Sequence, residues 1–241
     1  MPEALLTLSG VNTHIGNYHI LQGVDFSVPR GELMMLLGRN GAGKTTTLRT
    51  ILGLWRASAG SIRLDQTEIA HRETPAIANM GIAYVPESMG IFAGLSVKEN
   101  LMLAARAGAL DESRLERIFG FFPALKKFWF LPAGLLSGGQ KQMLSISRAI
   151  VEPRRLVLID EPTKGLAPSI INNLIEALVE LKKTETTILM VEQNFHAARS
   201  LGDSVAVMDS GRIVHSGRMA DLAADETLQT RLLGLSLDVH Q

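Results

Sequence analysis

Eight consecutive residues, Gly38-Arg39-Asn40-Gly41-Ala42-Gly43-Lys44-Thr45, have the types and spacing to hold a nucleoside triphosphate. Their glycines let successive backbone N–H groups close around a β-phosphate, and a helix opening near Lys44 points its positive end at the same anion. Lys44 then reaches the β- and γ-phosphates and the Thr45 hydroxyl ligates Mg2+, with Thr46 next in the binding set. A second pattern, Leu156-Val157-Leu158-Ile159-Asp160-Glu161, ends an apolar run in two carboxylates. Asp160 stands at the C-terminal end of a buried strand, where it can hold the metal directly or through water. Glu161, one residue on, is the natural general base for a water attacking the γ-phosphate. Adjacent carboxylates are ordinarily a solvated strand end. The apolar run before this pair and the phosphate loop upstream outweigh that reading.

A third pattern, Leu136-Ser137-Gly138-Gly139-Gln140, is also built for phosphate. Gly138 and Gly139 permit close backbone approach, Ser137 adds a hydroxyl donor, and Gln140 closes the set. The loop lies far downstream of the nucleotide loop. That arrangement points to two chains facing each other, each completing the other's site.

These residues need elements to position them. Val24, Phe26 and Val28 alternate as a strand does, and Ile62 and Leu64 repeat the pattern after Gly60. The run Leu33-Met34-Met35-Leu36-Leu37, ending at the Gly-rich loop, reads as a strand buried on both faces of a parallel sheet. Residues 156–159, 187–191 and 205–208 read the same way. Between them lie helical patterns, clearest at 169–183, where Ile171, Leu174, Ile175, Leu178 and Leu181 form one stripe and Lys182 and Lys183 suit a C-terminus. Residues 96–151 carry helical periodicity without strand candidates, and Asp111 is the expected N-cap of a segment running through Leu115, Ile118 and Phe122. The expected fold is α/β with a helical insertion in its core.

Composition excludes several classes. The chain has 241 residues, 24 Lys plus Arg against 24 Asp plus Glu, and no Cys. Balanced charge offers no footprint for nucleic acid or an anionic membrane. No secretory signal is visible at the N-terminus, and no apolar stretch nears the roughly 20 residues that span a bilayer. If the protein works at a membrane, another chain supplies the span.

The phosphate loop, Leu-Ser-Gly-Gly-Gln and the strand ending in Asp160-Glu161, in that order, resemble the nucleotide-binding subunit of ABC transporters over essentially the whole chain. The resemblance implies a P-loop NTPase (RecA-like) parallel-sheet core, an N-terminal antiparallel β-subdomain and an inserted helical signature subdomain. It divides one ABC ATPase domain into 1–86 and 152–241 for the β-subdomain plus α/β core, and 87–151 for the Q-loop and helical subdomain. It implies ATP and Mg2+ as ligands and a head-to-tail dimer. Each ATP would lie on one chain's P-loop and under the other chain's Ser137, Gly138 and Gly139. Expected partners are a second ABC ATPase subunit (a related paralogue or a second copy), two membrane permease subunits and, indirectly, a periplasmic or extracellular solute-binding protein. Nucleic acid is not among them. The expected location is the cytoplasmic face of the cell membrane, as a peripheral protein.

Departures from the family pattern indicate a branch. Glu87, in Tyr84-Val85-Pro86-Glu87, stands where the metal-contacting Gln of the Q-loop is usual. Ala167 occupies the Asp position of the D-loop, Lys164-Gly165-Leu166-Ala167-Pro168. Gln193, in Val191-Glu192-Gln193-Asn194, replaces the switch histidine. Together they resemble the LivF-type ATPase of branched-chain amino-acid importers. Glu87 can still ligate Mg2+ or its water, and Gln193 can donate to the γ-phosphate without the charge of a protonated His. Hydrolysis is expected to persist with Glu161 dominant. His196 is expected on a helix surface. Where the family places an adenine-stacking aromatic, this chain has Ile15; Tyr18 and His14 are nearby, Tyr18 being the candidate, with a local strand role as its alternative.

Phe119, Phe121, Phe122, Phe128, Trp129 and Phe130 crowd one short region, with Phe119 and Phe122 expected in the helical core. Consecutive residues of a helix point to different faces, so 126–130 are hard to bury whole, and part of Phe128-Trp129-Phe130 is expected as an exposed apolar patch for the permease, to be tested by charge at Phe128 and Trp129. The family's usual coupling contact falls at 91–95. The alternatives are an importer ATPase for urea, short amides or other amino acids, and a soluble non-transport ABC ATPase. The latter group tends to carry coiled-coil insertions or paired cassettes, which this chain lacks. A small-molecule kinase would leave the Ser-Gly-Gly loop unexplained. The Leu-rich end at 232–237 carries no assignable chemistry.

Overall fold

The computed structural model describes residues 3–234, apart from 106, 107 and 109. Of the Leu-rich run at 232–237, the part from 235 onward lies outside the described residues.

Two sheets share one of two hydrophobic cores. The first is antiparallel, in the order β2-β1-β4-β5, formed by β1 (Ala4–Ile15), β2 (Tyr18–Pro29), β4 (Ala57–Leu64) and β5 (Thr67–Glu68). The second holds β3 (Leu33–Leu37), β6 (Ile82–Val85), β7 (Leu156–Asp160), β8 (Thr187–Glu192), β9 (Ser204–Asp209) and β10 (Arg212–Arg218) in the order β10-β9-β3-β8-β7-β6. All its neighbouring pairs are parallel except β9 with β10. Alternation along the four central strands explains their continuous apolar runs. Leu33, Met35 and Leu37 join Val157, Ile159, Ile188, Met190, Val205 and Val207 in one core. Met34 and Leu36 join Leu156, Leu158, Leu189 and Val191 in the other, against Leu6, Val24, Ile62 and the first helix. Each strand feeds two cores, so no polar face is left to give a period of two.

The helices cover both faces. Helix α1 (Lys44–Ile51) follows β3 directly, and α2 (Thr74–Asn79) precedes β6. The insertion consists of α3 (Val97–Met102), α4 (Glu112–Phe121), α5 (Pro123–Lys127), a 3-10 turn (Ala133–Leu135) and α6 (Gly138–Ile150). Asp111 caps α4 by accepting from the Arg114 N–H, as expected. Helix α7 (Pro168–Lys182) starts one residue earlier than the periodicity indicates, because Pro168 suits a first helical turn that has no capping side chain at Ala167. Its stripe is buried at Leu174, Leu178 and Leu181. Helices α8 (Phe195–Leu201), α9 (Met219–Ala224) and α10 (Glu226–Leu233) follow, and His196 is exposed on α8.

One expectation is corrected. Residues 128–130 are not helical: α5 ends at Lys127 and the chain turns. Phe128 and Trp129 are half-buried against the core, and the Trp129 ring meets Phe119 edge-on at 5.2 Å. Phe130 alone of the three is exposed, at 78%. Phe122 is buried as expected, and Phe119 packs partly buried against the same core. Among the described residues no helix is long and apolar enough to cross a membrane.

Candidate active site

The phosphate loop spans the gap between β3 and α1. Gly38 has no room for a side chain, since a Cβ there would lie 2.2 Å from the Met208 carbonyl oxygen on β9. Glycine is therefore dictated by the next strand as well as by the ligand. Lys44 is 4% exposed, and its Nζ donates to the carbonyls of Gly38 (2.8 Å) and Arg39 (3.1 Å). Burial pushes its ammonium pKa down, opposed chiefly by Glu161, whose Oε1 lies 3.6 Å away. The lysine is thus held across a cradle of backbone groups. Arg39, Asn40, Gly41, Ala42 and Gly43 complete the loop, and Thr46 lies in the first turn of α1.

The neighbouring strand ends supply the carboxylates. Asp160 is fully buried; its Oδ1 accepts from Thr45 Oγ1 at 3.0 Å and its Oδ2 from Tyr84 OH at 3.1 Å. Burial pushes the Asp160 carboxyl up, against those two hydrogen bonds. The Tyr84 phenol is pushed up to about 12, first by burial and then by Asp160.

Glu161 sits at φ +46°, a left-handed conformation that strains a non-glycine residue, and its N–H donates to the Val191 carbonyl at 2.9 Å. That backbone turns the side chain off the strand into the site. Its Oε1 accepts from Gln193 Nε2 at 2.5 Å, and Lys164 Nζ lies 3.5 Å from its Oε2. One carboxylate is therefore surrounded by Lys44, Lys164 and an amide.

Glu87 joins this cluster through Lys164. Its carboxylate is exposed and accepts from Lys164 Nζ at 2.6 Å, so in this state it faces the D-loop lysine and not Thr45 or Asp160. The hydrogen bond to Glu87 pushes the Lys164 ammonium up, with Glu161 adding to it. Lys164 therefore competes, at Glu87 Oε1, with the Mg2+ contact expected of this residue.

Ser137 is the N-cap of α6, accepting from the Gln140 N–H, while Gln140 Oε1 accepts from the Ser137 N–H. Gln140's side chain is engaged in this capping box, leaving its backbone as the group to face a ligand. Gly139 is fixed by packing: a Cβ would meet Ile170 Cγ2 on α7 at 2.3 Å. Helix α6 packs on α3, α5 and β6, so the signature loop is displayed from the helical insertion. Tyr18 is 75% exposed at the hairpin tip and pairs in register with Ile15. It is close in sequence to Leu21, which lies against Gly43, whereas the rings of His14 and His19 stack on each other.

Sequence reasoning passed over three residues of this cluster. Tyr84 and Glu192 lie inside segments read for Glu87 and Gln193. Lys164 lies inside one read for Ala167. The usable signal was charge: a lysine three residues before Ala167 sits among small and apolar loop residues, and a carboxylate ending the buried strand β8 needs donors.

Comparison with known proteins places this geometry. A family profile described as ABC transporter matches residues 21–164. The chain is 36% identical to the high-affinity branched-chain amino acid transport ATP-binding protein BraG of Pseudomonas aeruginosa, over 95% of this chain and 100% of BraG. It is 32% identical to the probable branched-chain amino acid transport ATP-binding protein LivF of Archaeoglobus fulgidus, over 93% of this chain and 97% of LivF. The solved ADP conformation of MJ1267, an ATP-binding cassette of an ABC transporter, superimposes with a TM-score of 0.81 at 25% identity, covering 96% of this chain and 99% of that one. The chain belongs to the ABC transporter family, as one of its ATP-binding, ATP-hydrolysing subunits.

Proposed function

We propose that this chain energises an importer of branched-chain or other hydrophobic amino acids from the cytoplasmic face of the membrane. Near-complete coverage of BraG and LivF supports the substrate class, and Glu87, Ala167 and Gln193 agree with it. The observation that carries the catalytic reading is Glu161, held between Lys44 and Gln193 beside the Thr45–Asp160 pair.

Thr45 Oγ1 and Asp160 Oδ1 fit Mg2+: they are hard oxygen donors 3.0 Å apart, and Mg2+ on a nucleotide commonly takes one or two carboxylates besides phosphate and water. When bound, the ion neutralises charge on the phosphates. Thr45 and Asp160 would hold it, joined by Glu87 in competition with Lys164. The chain's own residues do the rest. Lys44 supplies positive charge at the β- and γ-phosphates, and Tyr84 keeps Asp160 oriented. Glu161 accepts the proton of the attacking water while Gln193 fixes its Oε1. Tyr18 stacks on the adenine from the strand opposite Ile15. Ser137, Gly138 and Gly139 serve the ATP of a second ATPase subunit, a paralogue or a second copy, which returns the same service. Two permeases and a solute-binding protein complete the importer, and residues 91–95 with Phe130 form its docking side.

The test is uptake. Right-side-out vesicles carrying the complete importer, loaded with ATP in the lumen and given the solute-binding protein outside, should accumulate labelled leucine and lose that accumulation when this chain is left out. Undiminished uptake without it would overturn the assignment.

A further inference from the structure

Glu192 ends β8 and is 2% exposed, yet among the described residues no cation lies within ion-pair distance of it. A carboxylate taken out of water without a counter-ion is costly unless strong donors replace the water. The donors are there. Oε1 accepts from the Thr163 N–H at 3.0 Å. Oε2 accepts from the Thr163 hydroxyl at 3.0 Å, the Gln193 N–H at 3.0 Å and the Asn194 N–H at 3.2 Å.

These donors flank the catalytic carboxylate on both sides. Thr163 lies two residues after Glu161 and opens the loop that carries Lys164. Gln193 is the residue whose amide holds Glu161 Oε1. One buried carboxylate therefore fixes the backbone on the far side of Glu161 and the backbone of Glu161's amide partner. The Glu161 N–H bond to Val191 ties the same two segments a third time. Removing Glu192 takes the acceptor from the Thr163 N–H and hydroxyl and from the Gln193 and Asn194 N–H groups, leaving the Glu161–Val191 bond to hold the strained φ of Glu161.

We propose that Glu192 is a positioning residue for hydrolysis: it clasps Thr163 to Gln193 and so sets the Glu161–Gln193 contact, without itself touching nucleotide. The proposal rests on the reading of Glu161 as the base. An amide at 192 would turn an NH2 group toward donors, and Asp would be one methylene too short to span both segments. Glu192→Gln and Glu192→Asp should thus behave alike.

The experiment is a double-mutant cycle on the purified ATPase, with each rate measured well below the variant's own unfolding midpoint. Glu192→Gln should lower kcat about 10- to 100-fold, within the range expected when a positioned proton acceptor is misplaced. Binding of a fluorescent ATP analogue should stay within about threefold, since positioning acts on kcat and not on ground-state binding. Combined with Gln193→Ala, it should reduce kcat little beyond the larger single effect, because groups sharing one network do not add. Thr163→Val, which keeps the charge and removes one hydroxyl, should show a smaller loss of the same kind and covers the case in which Glu192→Gln fails to fold. Wild-type kcat in folded Glu192→Gln or Thr163→Val, or effects of Glu192→Gln and Gln193→Ala that multiply, would overturn the proposal. A Glu161→Gln variant that hydrolyses normally would instead remove the reading of Glu161 itself, so the two failures are distinguishable.

Discussion

Tyr84→Phe removes one oxygen and keeps the ring, so the packing of β6 is preserved and the effect falls on Asp160. The substitution deletes the 3.1 Å hydrogen bond to Asp160 Oδ2. Hydrogen bonds to charged groups are worth about 1.5–3 kcal/mol, and a partly solvated one is discounted because water replaces some of it. About 1–2 kcal/mol remains, or roughly five- to thirtyfold in an equilibrium constant. Asp160 would keep only Thr45 against the burial that already pushes its carboxyl up, so its ionised form, the one a cation needs, becomes harder to hold. Titrating Mg2+ at fixed ATP should show half-saturation raised by about that factor, with kcat at saturating Mg2+ nearly unchanged. A pH arm adds a signed check. The Tyr84 phenol is raised from 10.0 to about 12 in the fold, so its contribution is intact below pH 10 and disappears as pH rises to 12. Wild type should therefore lose stability in that window more steeply than Tyr84→Phe, measured by urea midpoints. Unchanged Mg2+ half-saturation in the variant would refute the idea that Tyr84 orients Asp160.

Three surface-facing residues give clear directions. Lys164→Met frees Glu87 from its pair; with both partners about half exposed, the melting temperature should move by no more than about 2 °C, while Mg2+ half-saturation falls. A rise there would contradict competition between Lys164 and the metal for Glu87. Phe130→Asp, at a 78% exposed site, should likewise shift the melting temperature by about 2 °C at most, yet weaken co-purification with the permeases. Tyr18→Ala should weaken ATP binding about fivefold or more, since base stacking on an aromatic is worth about 1–3 kcal/mol, and equilibrium binding of a fluorescent analogue reads it directly.

The parts of the site legible in sequence are those in which ligand chemistry and backbone geometry dictate the same residue. Gly38 is required by the Met208 carbonyl and by the phosphate, and the runs at β3, β7, β8 and β9 are apolar because each strand feeds two cores. What stayed hidden depends on which side chains meet across the sheet. Tyr84 reaches Asp160 because β6 neighbours β7, a pairing between residues 76 apart in the chain. Lys164 meets Glu87 across 77 residues, and Glu192 meets Thr163 across 29. The aromatic patch shows the converse. Spacing alone treats 126–130 as a helix with outward rings, but α5 stops at Lys127, and the turn folds Phe128 and Trp129 back onto the core. Helical periodicity carries little information over so short a helix.

Glu161 as the proton acceptor is the central claim, and Glu161→Gln measures it. The substitution keeps the size of the side chain and removes the basic oxygen. Steady-state ATPase should fall about 10²- to 10⁴-fold, the usual contribution of a positioned general base, while ATP affinity stays within about threefold. Hydrolysis at the wild-type rate by a folded, ATP-binding Glu161→Gln protein would contradict it.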